Sequence, residues 1–161
     1  MAEEMDVAID QPGHRSDELD ERTSCTLVSI SCTTAWTDWV HGDLWLCPDG
    51  LLRASRGLIA TLANTSRKTM VKRTVDPSNR PTQTIGPDER RRVAAADKRN
   101  WWIPWPDIER AKQQSGPLSH ALHIELTNGR KVSLRWLRQE GPVDFLNAAL
   151  RESLGDRLTL A

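Results

Sequence analysis

Histidine, cysteine and carboxylate side chains hold metals and move protons, and their spacing in this chain favours neither task. His120 and His123 lie three apart in a segment of strand periodicity, which sends them to opposite faces and prevents them from chelating one ion together. His123 and Glu125 share a face. Because Leu122, Ile124 and Leu126 form the apolar set of that segment, the histidine and glutamate fall on the solvent side as a cross-strand polar pair. His41 and Asp43 read the same way. Cys25, Cys32 and Cys47 cannot all pair within one chain and show no C-x-x-C spacing, so reduced, partly buried thiols are expected, with neither a disulfide framework nor a zinc site. No nucleophile with a base, no paired carboxylates and no glycine-rich phosphate loop has a known spacing. The expectation is a non-enzymatic protein with no catalytic residue, no metal and no cofactor.

The chemistry that the sequence does concentrate is cationic. The total balances, 22 basic against 22 acidic residues, but residues 64–100 hold ten Lys/Arg against four Asp/Glu, and residues 1–22 hold eight acids against Arg15 and Arg22. A stretch of net +6 thus faces a tail of net −6. Polybasic segments gain about 1 kcal/mol per Lys/Arg near an anionic membrane, and the same charges bind nucleic-acid phosphates in a salt-dependent way. Three indoles follow at once, and indole suits partner hot spots and membrane interfaces because its body is buried while its N–H stays satisfied. The expected binding set is Arg67, Lys68, Lys72, Arg73, Arg90, Arg91, Arg92, Lys98, Arg99, Trp101, Trp102 and Trp105. The plainer alternatives are a solvated loop for the charges and core filling for the indoles. The acidic tail is itself a candidate occupant of the basic surface.

These residues need a scaffold, and 161 residues suffice for one domain with appendages. Residues 1–22 have few large apolar groups and are expected to be a disordered acidic tail; residues 23–161 form the domain, with a basic insertion at about 64–100. Thr26 to Cys32 alternates Val28, Ile30 and Cys32 against mostly polar neighbours, the period of a half-buried strand. Gly42–Cys47 and Leu51–Ser55 flank Pro48-Asp49-Gly50 as a hairpin whose glycine is expected at positive φ. Leu58–Ala63 reads as a third strand. Within the insertion, Gly86-Pro87-Asp88-Glu89 through Lys98-Arg99 reads as a short helix with acids in its first turn and bases in its last, marginal by itself.

Trp101-Trp102-Ile103-Pro104-Trp105-Pro106-Asp107-Ile108 is strongly strand-favouring but carries two prolines, so it is expected at a sheet edge, or leaving its sheet after Ile103. His120–Glu125 and Lys131–Trp136 are joined by an Asn128-Gly129 hairpin signal, with Leu122, Ile124, Leu126 matching Val132, Leu134, Trp136. Val143, Leu146, Ala149 and Leu150, with Phe145 beside them, describe an amphipathic helix that starts near Pro142 and ends near Gly155.

Leu44-Trp45-Leu46-x-x-x-Gly50-Leu51-Leu52-Arg53, Trp102-Ile103-Pro104-Trp105-Pro106-Asp107-Ile108 and Leu122-His123-Ile124-Glu125-Leu126-x-Asn128-Gly129-Arg130, followed by one terminal helix, together resemble the bacterial pleckstrin-homology-like and GRAM-like domains over about Trp39 to Leu154. The resemblance implies a mainly β fold with some α. Two roughly orthogonal antiparallel sheets would form a partly open barrel capped by the C-terminal amphipathic helix, a scaffold used for lipid or protein binding. Two features depart from the family pattern. The first hairpin turn, Pro48-Asp49-Gly50, lacks the basic residues that hold phosphoinositides, and the terminal helix carries Phe145 where the family usually has tryptophan. A binding or adaptor module for a protein partner or an anionic lipid surface ranks first, a nucleic-acid-associated regulator using the same basic insertion second, and an enzyme with an unrecognised pocket between sheet and helix third. With no basic, apolar leader and no run of about 20 apolar residues, the chain is expected in the cytoplasm, peripheral to the membrane if it meets one.

Overall fold

The computed structural model describes residues 24–34, 40–55 and 79–161. The acidic tail, the strand expected at Leu58–Ala63, Trp36, Trp39 and the insertion residues Arg67, Lys68, Lys72 and Arg73 lie outside the described residues.

The described chain forms two sheets. The first contains β1 (Ser24–Cys32), β2 (Gly42–Cys47), β3 (Gly50–Ser55), β4 (Thr82–Thr84) and β5 (Trp101–Pro104), in the order β4-β1-β2-β3-β5. The second contains β6 (Ile108–Ser115), β7 (Ser119–Leu126), β8 (Lys131–Leu137) and β9 (Leu158–Leu160), in the order β8-β7-β6-β9. Neighbouring strands are antiparallel except β9, which runs parallel to β6. Neither sheet closes into a barrel, and a single bridge from Thr33 to Arg135 ties the end of β1 to β8. Helix α1 (Pro87–Ala96) precedes β5, and α2 (Asp144–Leu154) follows β8.

Alternation along the strands sorts the apolar residues into two cores. Val28, Leu44, Leu51 and Ile103 of the first sheet, with Trp105 just after β5, meet Leu122, Ile124, Val132, Leu134 and Trp136 of the second, and Leu146, Leu150 and Leu154 of α2 complete this main core. The other face of the first sheet, with Cys25, Trp45, Cys47, Leu52 and Ala54, is covered by Ile85 and by Val93 of α1. The first sheet is therefore buried on both faces, which explains why β2 and β3 read as nearly continuous apolar runs. β1 is not the simple half-buried strand that its alternation suggests. Register shifts on either side of Ser29 put Val28 and Cys32 in the main core and Ile30 against the second.

The tryptophan run behaves as its prolines require. Among the described residues β5 pairs with β3 alone at the sheet edge, a 3-10 turn at Trp105–Asp107 takes the chain out of the first sheet, and Ile108 opens the second fully buried. Gly50 departs from expectation, since it does not adopt positive φ. A Cβ there would collide with the Ile103 carbonyl oxygen and the Pro104 Cα, so glycine is needed for the close approach of β5. Gly129 does take φ 81° in the Asn-Gly hairpin, as anticipated.

Two polar expectations are corrected. Cys25 and Cys47 face each other across β1 and β2 and form a disulfide, with Cα atoms 4.2 Å apart; Cys32 alone remains a thiol, buried. Their separation of 22 residues carried no motif, and only the strand register makes them neighbours. Asp43, expected beside His41 on the solvent side, is buried, whereas His41 is exposed.

Arginines stitch the periphery to the core. Arg80 donates to the carbonyls of Val28 at 2.7 Å, Glu140 at 3.0 Å and Pro142 at 3.1 Å, and its guanidinium lies 4.6 Å from the centre of the Phe145 ring. The buried Glu140 in turn accepts from the Ile30 amide at 2.9 Å and from the Ser31 hydroxyl. Arg53, almost wholly buried, donates to the carbonyls of Val40 at 2.8 Å and of Arg99. These charges satisfy backbone groups that would otherwise be stranded.

Candidate functional site

The binding set expected around the insertion is largely structural where it is described. Arg90 is fully buried: its Nε donates to the Ile85 carbonyl at 2.9 Å, its guanidinium meets the Asp49 carboxylate, and it sits 5.0 Å from the centre of the Trp102 ring. Arg99 is held by Asp97 through two hydrogen bonds of 3.0 and 2.9 Å, and these pull the Asp97 carboxyl well below its usual range. Trp105 is buried, donating its indole N–H to the Pro48 carbonyl at 2.9 Å, and Trp101 donates to the Lys98 carbonyl at 3.2 Å. Trp101 and Trp102 are half-buried, the first against the main core and the second against the other. Arg91, Arg92 and Lys98 remain exposed, but Arg91 pairs with Asp88 at 3.0 Å on its own helix. Helix α1 ends at Ala96, so the bases expected in its last turn fall beyond it.

A second set of cations lies on the outer face of the second sheet, with Arg110, Lys112 and Lys131 exposed and Arg135 half-buried. Strand alternation turns Leu122, Ile124, Val132 and Leu134 inward, so Arg110 and Lys112 of β6, His123 and Glu125 of β7, and Lys131, Ser133 and Arg135 of β8 turn outward. Cross-strand register arranges them in rows. Arg110, Glu125 and Lys131 form one; Thr159, Lys112, His123 and Ser133 form the next; Gln114, Ala121 and Arg135 form a third. The first two rows line a shallow concavity of about 420 Å³. Three cations, Arg110, Lys112 and Lys131, against Glu125 give the concavity a net charge of +2, and Arg135 in the third row brings this face to +3.

Local geometry shows how that charge is held. Arg110 approaches Glu125 at 3.4 Å, and the Ser133 hydroxyl lies 3.1 Å from His123 Nδ1. Burial first, then the cations Arg135 and Lys112, push the His123 imidazole below its ordinary pKa. Lys112 and Lys131 are exposed. At one end the face becomes apolar, with Leu137 opposite Ser119 and the strongly exposed Leu118 in the β6–β7 turn. Such a surface can hold an extended acidic chain: cations for carboxylates, a serine, a threonine and an imidazole as hydrogen-bonding partners, and an apolar end.

The sequence matches no protein-family model and no curated protein.

Sequence reading placed His123 and Glu125 on this side without seeing the surface they belong to. Arg110, Lys112, Lys131 and Arg135 are separated along the chain and form no charge run; the available signal was that each occupies an outward position of its strand. Other chemistry has less to stand on. His120 and His123 do lie on opposite faces, with His120 buried, and among the described residues no group of three His, Cys, Asp or Glu is placed to hold a metal ion. Among the described residues no helix is long and apolar enough to cross a membrane.

Proposed function

We propose that this protein is a non-enzymatic, pleckstrin-homology-like binding module that recognises an acidic segment of a protein partner on the outer face of its second sheet. The observation that carries the reading is the concavity between β6, β7, β8 and β9, lined by Arg110, Lys112 and Lys131 around the carboxylate of Glu125, with Arg135 one row beyond on the same face. The strand order supports the pleckstrin-homology-like part: β1 to β3 and β5 in one sheet, β6 to β8 in the next, and a helix afterwards that fills the main core. Arg91 and Arg92, with Lys98 beyond the end of their helix, offer a weaker cationic surface, because Asp88 and Glu89 share α1.

The test is fluorescence anisotropy with a labelled oligoglutamate peptide, at low and near-physiological salt, on the wild type and on the double variant Lys112→Glu/Lys131→Glu. Binding that weakens with salt, and by about tenfold or more in the variant, supports the reading. Equal affinity of wild type and variant overturns the site. Anionic-vesicle binding stronger than peptide binding, lost in the same variant, moves the function to a membrane surface.

A further inference from the structure

The face that takes an acidic segment belongs to a chain that carries one. Residues 1–22 hold Glu3, Glu4, Asp6, Asp10, Asp17, Glu18, Asp20 and Glu21 against Arg15 and Arg22, a net charge of −6, and they lead directly into β1 at Ser24. The sheet face carries +3. Fully extended, 22 residues reach about 75 Å, several times the ~25 Å length of an eight-residue strand such as β6, so the segment can reach any part of the domain surface. Attachment also raises its effective concentration at the face to the millimolar range, enough for weak charge pairing to compete with a free partner.

We infer that the acidic N-terminal segment of this same chain occupies the Arg110–Lys112–Lys131–Arg135 face and competes there with the acidic partner. This rests on the proposed function, because it names the regulation of that site. Competition of this kind sets a threshold: a partner must offer more negative charge, or contacts beyond charge, to displace the segment, and modifications that change the charge of residues 1–22 shift the balance.

The lysines make the inference directly testable. The chain has five: among the described residues Lys112 and Lys131 lie on the face and Lys98 follows α1, and Lys68 and Lys72 belong to the insertion. A zero-length carbodiimide reagent joins a lysine amine to a carboxylate that touches it, and mass spectrometry of the monomeric product reads which pairs form in the full-length protein. Links from Lys112 or Lys131 to acids within residues 3–21, lost at high salt, are the expected result. Links from those acids only to Lys68, Lys72 or Lys98 overturn the inference in favour of the insertion, and an absence of links overturns intramolecular docking. A second measurement separates this from failure of the proposed function. In a full-length variant with Glu3, Glu4, Glu18 and Glu21 changed to Gln and Asp6, Asp10, Asp17 and Asp20 changed to Asn, oligoglutamate should bind at least threefold more tightly than to wild type. Equal binding by the two proteins overturns the tail's role and leaves the face intact. No binding by the neutralised variant overturns the proposed function itself.

Discussion

The guanidinium of Arg90, carried by α1 and fully buried, meets the carboxylate of Asp49 in the β2–β3 turn, 41 residues away along the chain. The contact joins the insertion to the first hairpin at the point where Trp105 also anchors, through its indole N–H to the Pro48 carbonyl and its backbone N–H to the Asp49 carbonyl at 3.0 Å. Asp49 stays about half exposed, so its desolvation cost is modest, while Arg90 depends on it for charge compensation. Replacing Asp49 with Ala should lower stability by about 1–3 kcal/mol in urea unfolding, because the buried guanidinium loses its carboxylate. Adding Arg90→Met should recover part of the loss; equal losses for single and double variants would contradict the pairing.

Gly50 tests the packing of the edge strand. Any side chain there must displace the β5 backbone at Ile103 and Pro104, and the Trp102 ring as well. Gly50→Ala should cost about 1–3 kcal/mol and shift tryptophan fluorescence, since Trp101, Trp102 and Trp105 all follow the displaced backbone. Gly129→Ala makes a useful contrast: a Cβ there meets nothing, so any cost comes from the positive φ alone.

Cysteine reactivity should divide cleanly. Burial pushes the Cys32 thiol up to about 12 despite the nearby Arg53 cation, and Cys25 and Cys47 are joined. A thiol reagent at mildly alkaline pH should therefore find almost nothing in the native protein, one thiol after denaturation, and three after denaturation with reduction. Rapid native labelling of Cys32 would contradict its burial.

Acid should weaken the fold in two windows. His120 is held below its ordinary 6.5 chiefly by burial, assisted by the cations Arg138 and Arg80 and opposed by the Gly141 backbone and Glu140. His123 is lowered in the same direction. A lowered histidine binds protons more readily in the unfolded chain, so the stability it contributes is complete above about pH 6.5 and is lost as pH falls from there through the folded values. His120→Gln should flatten that decline in denaturation curves collected across the window. Asp97, whose carboxyl is lowered by Arg99, adds a second decline that starts only as pH approaches its unperturbed 3.8.

Local sequence carried the elements well. The hairpins at Pro48-Asp49-Gly50 and Asn128-Gly129, the edge strand that leaves its sheet at its prolines, the proline-started helix at Pro87–Ala96 and the terminal helix ending before Gly155 were all legible, because each depends on a backbone preference or a periodicity within a few residues. β4 and β9 were not. Each spans three residues and is a strand only because β1 or β6 offers it an edge. The disulfide escaped for a similar reason, since its two cysteines are related only by the register of β1 against β2.

The candidate site shows the division most sharply. The sequence by itself determined which residues are charged, that His123 and Glu125 face solvent, and that the terminal segment carries an excess of acid. Only the tertiary structure decided what those charges do. It took Arg90 out of solvent by folding α1 over the outer face of the first sheet, and it occupied Arg99 with Asp97. It brought Arg110, Lys112, Lys131 and Arg135 to one surface by pairing three strands in register. A run of basic residues is visible in one dimension whatever becomes of it, whereas a basic surface spread over a sheet exists only once the strands are aligned, because alternation fixes a side chain's face and pairing fixes its neighbours.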